Sequence, residues 1–439
     1  MISLWRRRLE QFSQYMWVRA ALFAVLGVAA ALLAVRLAPF VPEELPKTLG
    51  SDAVHQILNI LASSMLAVTT FSLSVMVAAY SAAANNVSPR ATRLLREDPT
   101  TQNVLAVFLG SFLFSLVGIV ALNTGYYSDR GRFVLFVVST GVIGIIVFTM
   151  LRWIDHLTRL GRVGETTARV EQATHNAIDV RLKTPFLGGV RLDKDKQNLM
   201  DSGTPVRSER IGYVAYIDVA SIQSVAEEID ADIYVVALPG TFVHTGRALA
   251  VIFADAGDAA RSPSLTQRLE ADNTGALEKL RGAFEVTDER SYSQDPRFGL
   301  AVMAEIASRA LSPAVNDAGT AIDVLGRSVR LLAPWVDPDV EQKASEPECR
   351  RVFVPALQTD EMFGDIYAPI ARDGAAIAEV QVRLQKSLLA LAQIGNAEAA
   401  AAALRHSRDA LERSEAGLTL ESEKAVVREI AAQIAAIDK

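Results

Sequence analysis

The chain has 439 residues, half of them hydrophobic, and a formal net charge of −6. That length allows two or three domains, and its positive mean hydropathy is high for a soluble protein. A lone cysteine, Cys349, excludes a disulfide framework and a cysteine metal cluster.

Charge divides the chain. Residues 1–154 hold 12 Lys/Arg and 7 Asp/Glu, and the remainder 32 and 43. The acidic remainder argues against nucleic acid as a partner. Four charge-poor runs lie in the first third: roughly Trp17–Phe40, Val54–Ala84, Gln102–Thr124 and Phe133–Leu151. Each is about as long as the roughly 20 residues that cross a bilayer core, so a four-helix transmembrane domain is expected over 1–154, with the lipid bilayer as its surroundings. The first run follows "WRRR" but is too long for a signal-peptide core, and it is expected to stay as an anchor.

Loop charge sets the orientation. Arg6, Arg7 and Arg8 precede the first span, Arg90, Arg93 and Arg96 follow the second, and Arg152, Arg159 and Arg162 follow the fourth. The positive-inside rule places those loops and both termini in the cytoplasm. Arg19 and Arg36 bracket the first apolar stretch and can snorkel to opposite surfaces. Trp17, Tyr126, Tyr127 and Trp153 sit where an aromatic belt is expected.

The second span contains "NILASSMLAVTTFSLSVMVAAYSAAANN" from Asn59, without one formal charge but rich in hydroxyls. At 100° per residue, Gln56, Asn59, Ser63, Thr70, Ser74 and Ser81 fall in a strip about 60° wide. Ser64, Thr69 and Ser72 lie elsewhere, where a hydroxyl can bond back to its own helix. Two explanations fit the strip: a water-filled path lined by neutral polar groups, or close helix packing. Ser111, Ser115, Gly141 and Gly144 in the next two spans suit packing. With so few spans, a path forms most readily at the axis of a homo-oligomer. No carboxylate lies within a span, so passive conduction of a small ion or solute is expected over coupled pumping.

Beyond the spans, residues 155–205 read as a helical connector and linker, 206–260 as a small β domain, 261–335 as a helical domain, and 336–439 as a C-terminal helical bundle. "RIGYVAYID" and "ADIYVVALPGTFVHTGRALAVIF" alternate as strands do, around a short helix in "VASIQSVAEEID". "GTFVHTGRALAVI" has the turn pattern of a barrel-sandwich unit, with Gly240 and Gly246 in turns, Val243 and Leu249 inward, and His244 exposed. Asp295-Pro296 opens a helix running to about Leu311, and Asn316 or Asp317 caps the next, near Ala318. Asp288, Glu289, Asp295, Glu305, Asp317 and Asp323, with Asn316, invite a metal-site reading; capping and pairing with Arg290, Arg297 and Arg309 explain the same residues without a metal.

Two stretches, "TTFSLSVMVAAYSAAANNVSPRATRLLREDPTTQNVLAVFLG" and "RSYSQDPRFGLAVMAEIASRALSPAVNDAGTA", carry the motifs "SPR" at Ser88–Arg90, "QDP" at Gln294–Pro296 and "ALSPAVND" at Ala310–Asp317. With these motifs the chain resembles the DUF2254 family of uncharacterised bacterial membrane proteins, from the first span to about residue 335. The family pattern has proline after the Asn-Asp pair, where this chain has Ala318. The resemblance implies a multi-pass inner-membrane protein with a cytoplasmic domain, and no established activity. It singles out Arg290, Gln294, Asp295, Glu305, Arg309, Ser312, Asn316 and Asp317 as a candidate cytoplasmic site.

Phosphate-loop, nucleophile-elbow, zinc-protease and dinucleotide motifs are absent from the sequence, and the five histidines never cluster. No enzyme activity, cofactor or metal is expected. Two functions remain: a homo-oligomeric channel lined by the second span and gated by the cytoplasmic part, or spans that anchor an interaction or ligand-sensing module.

Overall fold

A computed structural model describes residues 53–96, 98–124, 128–193, 203–254, 275–339 and 345–437, with eight helical positions between 18 and 36. The expected first span, with Trp17 and Arg19, therefore lies largely outside the described residues, as do Tyr126 and Tyr127. The chain divides into two compact units, one of residues Ile2–Asn85 and Pro89–Thr166, the other chiefly of Asn86–Ser88 and Thr167–Lys439.

The first unit is helical: α1 (Ala53–Asn86), α2 (Thr92–Arg96), α3 (Pro99–Asn123) and α4 (Asp129–Arg159). Among the described residues, three stretches are long and apolar enough to cross a membrane: Ala53–Ala84, Thr92–Asn123 and Asp129–Arg159. They correspond to the second, third and fourth expected spans. Among the described residues, α1 packs by one face. Val54 and Leu58 meet Phe114 and Leu135, and Leu61 and Met65 meet Phe108, Ile146 and Trp153. Ser111 and Ser115 are buried as packing requires. Gly141 and Gly144 are not: both are exposed, and a methyl group added at either would meet nothing within 4 Å.

Polar anchors fix these helices at one end. Asp98 is 5 % exposed and caps α3, accepting from the Thr101 N–H at 2.9 Å and the Thr101 hydroxyl at 2.7 Å. His156 Nε2 lies 3.0 Å from the same carboxylate, and its ring stacks on Trp153. The Trp153 indole N–H donates to the Ser72 hydroxyl at 3.0 Å. Trp153 thus ties α4 to α1 and is buried, not a lipid-facing belt residue, because its indole N–H needs a partner once its ring is packed. α4 stops at Leu160, and Gly161 (φ +80°) turns the chain in the left-handed region before α5 (Val163–Lys183).

The second unit mixes sheet and helix. Its strands are β1 (Gly189–Arg191), β2 (Thr204–Arg207), β3 (Gly212–Ile217), β4 (Ala231–Val235), β5 (Phe242–Val243), β6 (Ala248–Ala254), β7 (Phe284–Thr287) and β8 (Cys349–Val354). They form a five-stranded sheet, β1-β8-β4-β6-β2, and a three-stranded sheet, β5-β3-β7. The sheets are separate, so the expected barrel-sandwich is replaced by an open mixed sheet beside a small antiparallel one. Two pairings, β1 with β8 and β4 with β8, are parallel. β8 comes from the stretch expected to be a helical bundle: "CRRVFV" is too short to reveal its period, and only its place between β1 and β4 makes it a strand. Val206, Ile233, Leu249, Ile252 and Val352 form the sheet core with α6 (Val219–Glu228) and α7 (Ala276–Gly282). Val243 and Leu249 point inward and His244 is exposed, as the turn pattern predicts. Of its two glycines, Gly240 alone takes a positive φ, at +90°.

Six further helices complete the unit: α8 (Pro296–Ala310), α9 (Ala318–Val336), α10 (Thr359–Asp373), α11 (Ala378–Ile394), α12 (Ala397–Gly417) and α13 (Glu421–Ala435). α8 packs on α9 and α10, and α11 on α9, α12 and α13. A reciprocal polar pair lies between α11 and α12, where the Ser407 hydroxyl donates to Gln385 Oε1 at 2.6 Å and Gln385 Nε2 donates to the Ser407 carbonyl at 3.0 Å. Both residues are buried. Ser407→Ala strands the buried amide oxygen and is expected to cost about 1–3 kcal/mol. Thermal unfolding of the detergent-solubilised protein checks this, with Ser224→Ala, on an exposed surface of α6, expected to leave the midpoint unchanged.

Candidate functional site

The strip on α1 is where the membrane unit departs from ordinary packing. Gln56, Asn59, Ser63, Thr70, Ser74 and Ser81 are all exposed. They lie opposite the buried line of Val54, Leu58, Leu61, Met65 and Ser72, about 180° round the helix. Packing among the described helices therefore does not account for them. Three strip hydroxyls donate to their own helix: Ser63 to Asn59 O at 2.9 Å, Thr70 to Leu66 O at 3.1 Å and Ser74 to Thr70 O at 3.0 Å. Asn59 Nδ2 lies 2.9 Å from His55 Nδ1. With their protons so used, the hydroxyls turn acceptor lone pairs outward. Ser64 and Thr69 back-bond as expected, whereas Ser72 is the acceptor for Trp153.

The second unit concentrates its polar chemistry at the start of α8. Asp295, 2 % exposed, caps the helix by accepting from the Phe298 N–H at 3.1 Å. Arg290 grips the same carboxylate with two bonds, Nε at 2.8 Å and Nη2 at 3.0 Å, while its guanidinium lies over the Phe298 ring. Burial pushes the Asp295 carboxyl above its ordinary value, against the pull of Arg290. Gly240 comes so close that a Cβ there would stand 2.3 Å from Asp295 Oδ2.

Gln294 behaves as a piece of strand. Its Oε1 accepts from the Ile217 N–H at 2.8 Å and its Nε2 donates to the Ile217 carbonyl at 3.2 Å, fastening the motif to β3. Behind it, Arg181 Nη2 donates to the Gln294 carbonyl at 3.2 Å. Arg297 makes two bonds to Asp365, at 2.6 and 3.2 Å, and a third to Glu361, locking α8 to α10.

The remaining motif residues do not join this cluster. Ser88, first residue of "SPR", donates to Glu305 Oε2 at 2.8 Å. Glu305 also lines a cleft of about 520 Å³ with Arg372 and Arg413. Arg309 does not supply the expected pairing at its Nε, which is buried without a hydrogen bond among the described residues. Ser312 donates to the Arg309 carbonyl at 2.7 Å. Asn316 is exposed with φ +52°, a conformation asparagine tolerates, and lets the chain turn sharply between α8 and α9. Asp317, not Asn316, caps α9, accepting from the Thr320 N–H at 3.0 Å and hydroxyl at 2.6 Å. Those bonds hold its carboxyl below the ordinary range. Asp323 pairs with Arg327. The acidic residues are thus dispersed over separate partners, and no group of three or more His, Cys, Asp or Glu able to hold a metal occurs among the described residues. Sequence reasoning missed Gly240 as the seat of Asp295, and it missed Arg181. Neither leaves a local signal, since each matters only through a residue more than fifty positions away.

Gly240→Ala must displace the Asp295 carboxylate and strain a φ of +90°, and is expected to destabilise by about 2 kcal/mol or more. Gly282→Ala, at the end of α7 with nothing within 4 Å, serves as the neutral control. Thermal unfolding midpoints of the two variants make the comparison.

Comparison with known proteins places these features. Residues 13–390 match the family model described as predicted membrane protein (DUF2254). The uncharacterized protein Rv1290c of Mycobacterium tuberculosis strain H37Rv is 26% identical over 274 residues, 61% of this chain and 50% of the relative. The uncharacterized protein Mb1321c of Mycobacterium bovis matches to the same extent. The chain thus aligns with half the length of these curated relatives. No solved structure gives a significant match.

Proposed function

The chain belongs to the DUF2254 family of predicted membrane proteins, and from that premise we propose that it is a homo-oligomeric channel or passive transport protein of the bacterial inner membrane. α1 lines the path. The single observation that carries this is the exposure of all six strip residues on the face of α1 that the described helices leave uncovered. A polar strip turned to hydrocarbon is unfavourable, whereas copies meeting around an axis shelter it and hydrate it. Outward oxygen lone pairs suit a small cation or a polar solute that needs acceptors. Three to four helices per chain enclose no wide lumen alone, so the path belongs to the assembly. Loop charge puts both termini, and the second unit, in the cytoplasm, where that unit serves as vestibule or gate.

The other reading, spans that only anchor a cytoplasmic ligand-sensing module, shares this topology and predicts no flux. Single cysteines placed in a Cys349→Ser background separate the two. Labels at 63, 70, 74 and 81 are expected to react with a membrane-impermeant thiol reagent, and labels at 61, 65 and 72 to stay protected. Ser74→Leu is expected to cut ion flux in proteoliposomes severalfold while leaving the oligomer intact. Uniform protection of the strip, or undiminished flux in Ser74→Leu, contradicts an α1-lined path.

A further inference from the structure

A cavity of about 600 Å³ lies in the second unit, lined among others by Arg181, Phe186, Arg191, Trp335, Thr359 and Glu398. Its place follows a general rule of α/β sheets, in which ligands sit beyond the carboxyl ends of parallel strands. Arg191 is the last residue of β1, and Ala356 and Leu357, also in the lining, follow the end of β8. The volume is that of a small-molecule site.

Arg181 gives the cavity its chemistry. It is 6 % exposed, yet among the described residues its guanidinium makes one hydrogen bond, from Nη2 to the Gln294 carbonyl, and its Nε is buried with no partner. A buried cation normally has a bonded carboxylate. Here Asp295, whose charge acts on Arg181, spends both oxygens on Arg290 and the α8 cap, and Glu398, also in the lining, accepts from the Thr359 N–H at 3.3 Å. Burial pushes the Arg181 guanidinium down to about 10, with Asp295 pulling the other way. Arg191 adds a second positive charge at the exposed rim. The walls are different: Phe186, Leu182, Leu357 and the Trp335 ring are apolar, and the Trp335 N–H is already committed to the Thr359 hydroxyl at 3.3 Å. Phe186 and Leu187 hold consecutive left-handed conformations, φ 53° and 58°, which non-glycine residues keep only when their surroundings demand it.

We propose that this cavity binds a small organic anion, a carboxylate or phosphate monoester carrying an apolar, ring-sized body. The anionic group meets Arg181 at the floor and the body lies between Phe186 and Trp335. The site belongs to the second unit and holds whether or not the protein conducts. Because Arg181 also bonds the Gln294 carbonyl, an occupied cavity bears directly on the "QDP" turn that starts α8.

The test is calorimetric titration of the purified full-length protein in detergent. Benzoate and phenyl phosphate are the anionic probes, with benzyl alcohol and benzylamine as neutral and cationic counterparts. At least one anion is expected to bind saturably, one per chain, with the neutral and cationic probes silent. Benzoate alone assigns a carboxylate site and phenyl phosphate alone a phosphate site. Arg181→Gln is expected to weaken binding at least about tenfold, as loss of a charge-assisted contact does. Trp335→Leu, which leaves every charge in place, is expected to weaken it as well and carries the test should Arg181→Gln not fold. Arg408→Gln, exposed and outside the cavity, leaves binding unchanged. Failure of both anions to bind, equal binding of benzyl alcohol, or full affinity in both cavity variants overturns the proposal.

Discussion

A buried carboxylate organises the second unit, and the elements around it are arranged to keep it there. Desolvating Asp295 is costly, and the cost is offset by two bonds from Arg290 and one from the first turn of α8. The consequences spread outward. Gly240 must lack a side chain, because the carboxylate occupies that space. Arg290 is held in place and covers the Phe298 ring. The neighbouring residue Gln294 fastens the same turn to β3, and Arg297 fastens it to α10. Three polar positions within four residues, 294, 295 and 297 with the helix-starting Pro296 among them, therefore join the small sheet to the helices. Removing either partner of the pair would leave a lone charge in the interior, which is why such a cluster tolerates little change.

A different constraint governs the membrane unit. A span of 32 residues measures about 48 Å, well beyond a hydrocarbon thickness of about 30 Å. α1 uses one face for packing and leaves the opposite face polar along most of that length. Its hydroxyls avoid an outright penalty by bonding their own backbone, so the helix is stable with the strip exposed. What the strip still presents are the acceptor lone pairs of those hydroxyls. Those are the groups that a neighbouring copy or a column of water satisfies, and the proposed assembly answers that need.

Much of the local architecture was legible in the residues. Three of the expected spans coincide with long helices, because an apolar run without charge has few other fates. Asp295-Pro296 and Asp317 mark helix starts as capping chemistry requires. The inward Val243 and Leu249 followed from alternation. The errors share a cause. The barrel-sandwich inference took a turn pattern for a fold, and "CRRVFV" was lost in a helical tail because six residues show no period. Trp153 was assigned to the lipid boundary from its position, when a buried serine eighty-one residues away claims its N–H. Gly141 and Gly144 are small enough for packing yet exposed, because residue size does not say which face a neighbour occupies.

The sequence by itself determined that this is a multi-span protein of the DUF2254 family, with a polar strip on one helix and a capped motif helix in an α+β region. All of these depend on residues within a few turns of one another or on motif identity. Only the tertiary structure decided that the strip is the face of α1 left uncovered by the described helices, that Gly240 seats Asp295, and that Arg181 is buried beside a cavity at the ends of β1 and β8. Those facts arise from pairings between segments far apart in the chain, above all the parallel placement of β8 between β1 and β4. Parallel neighbours need long crossovers, so no local stretch encodes which strands will meet.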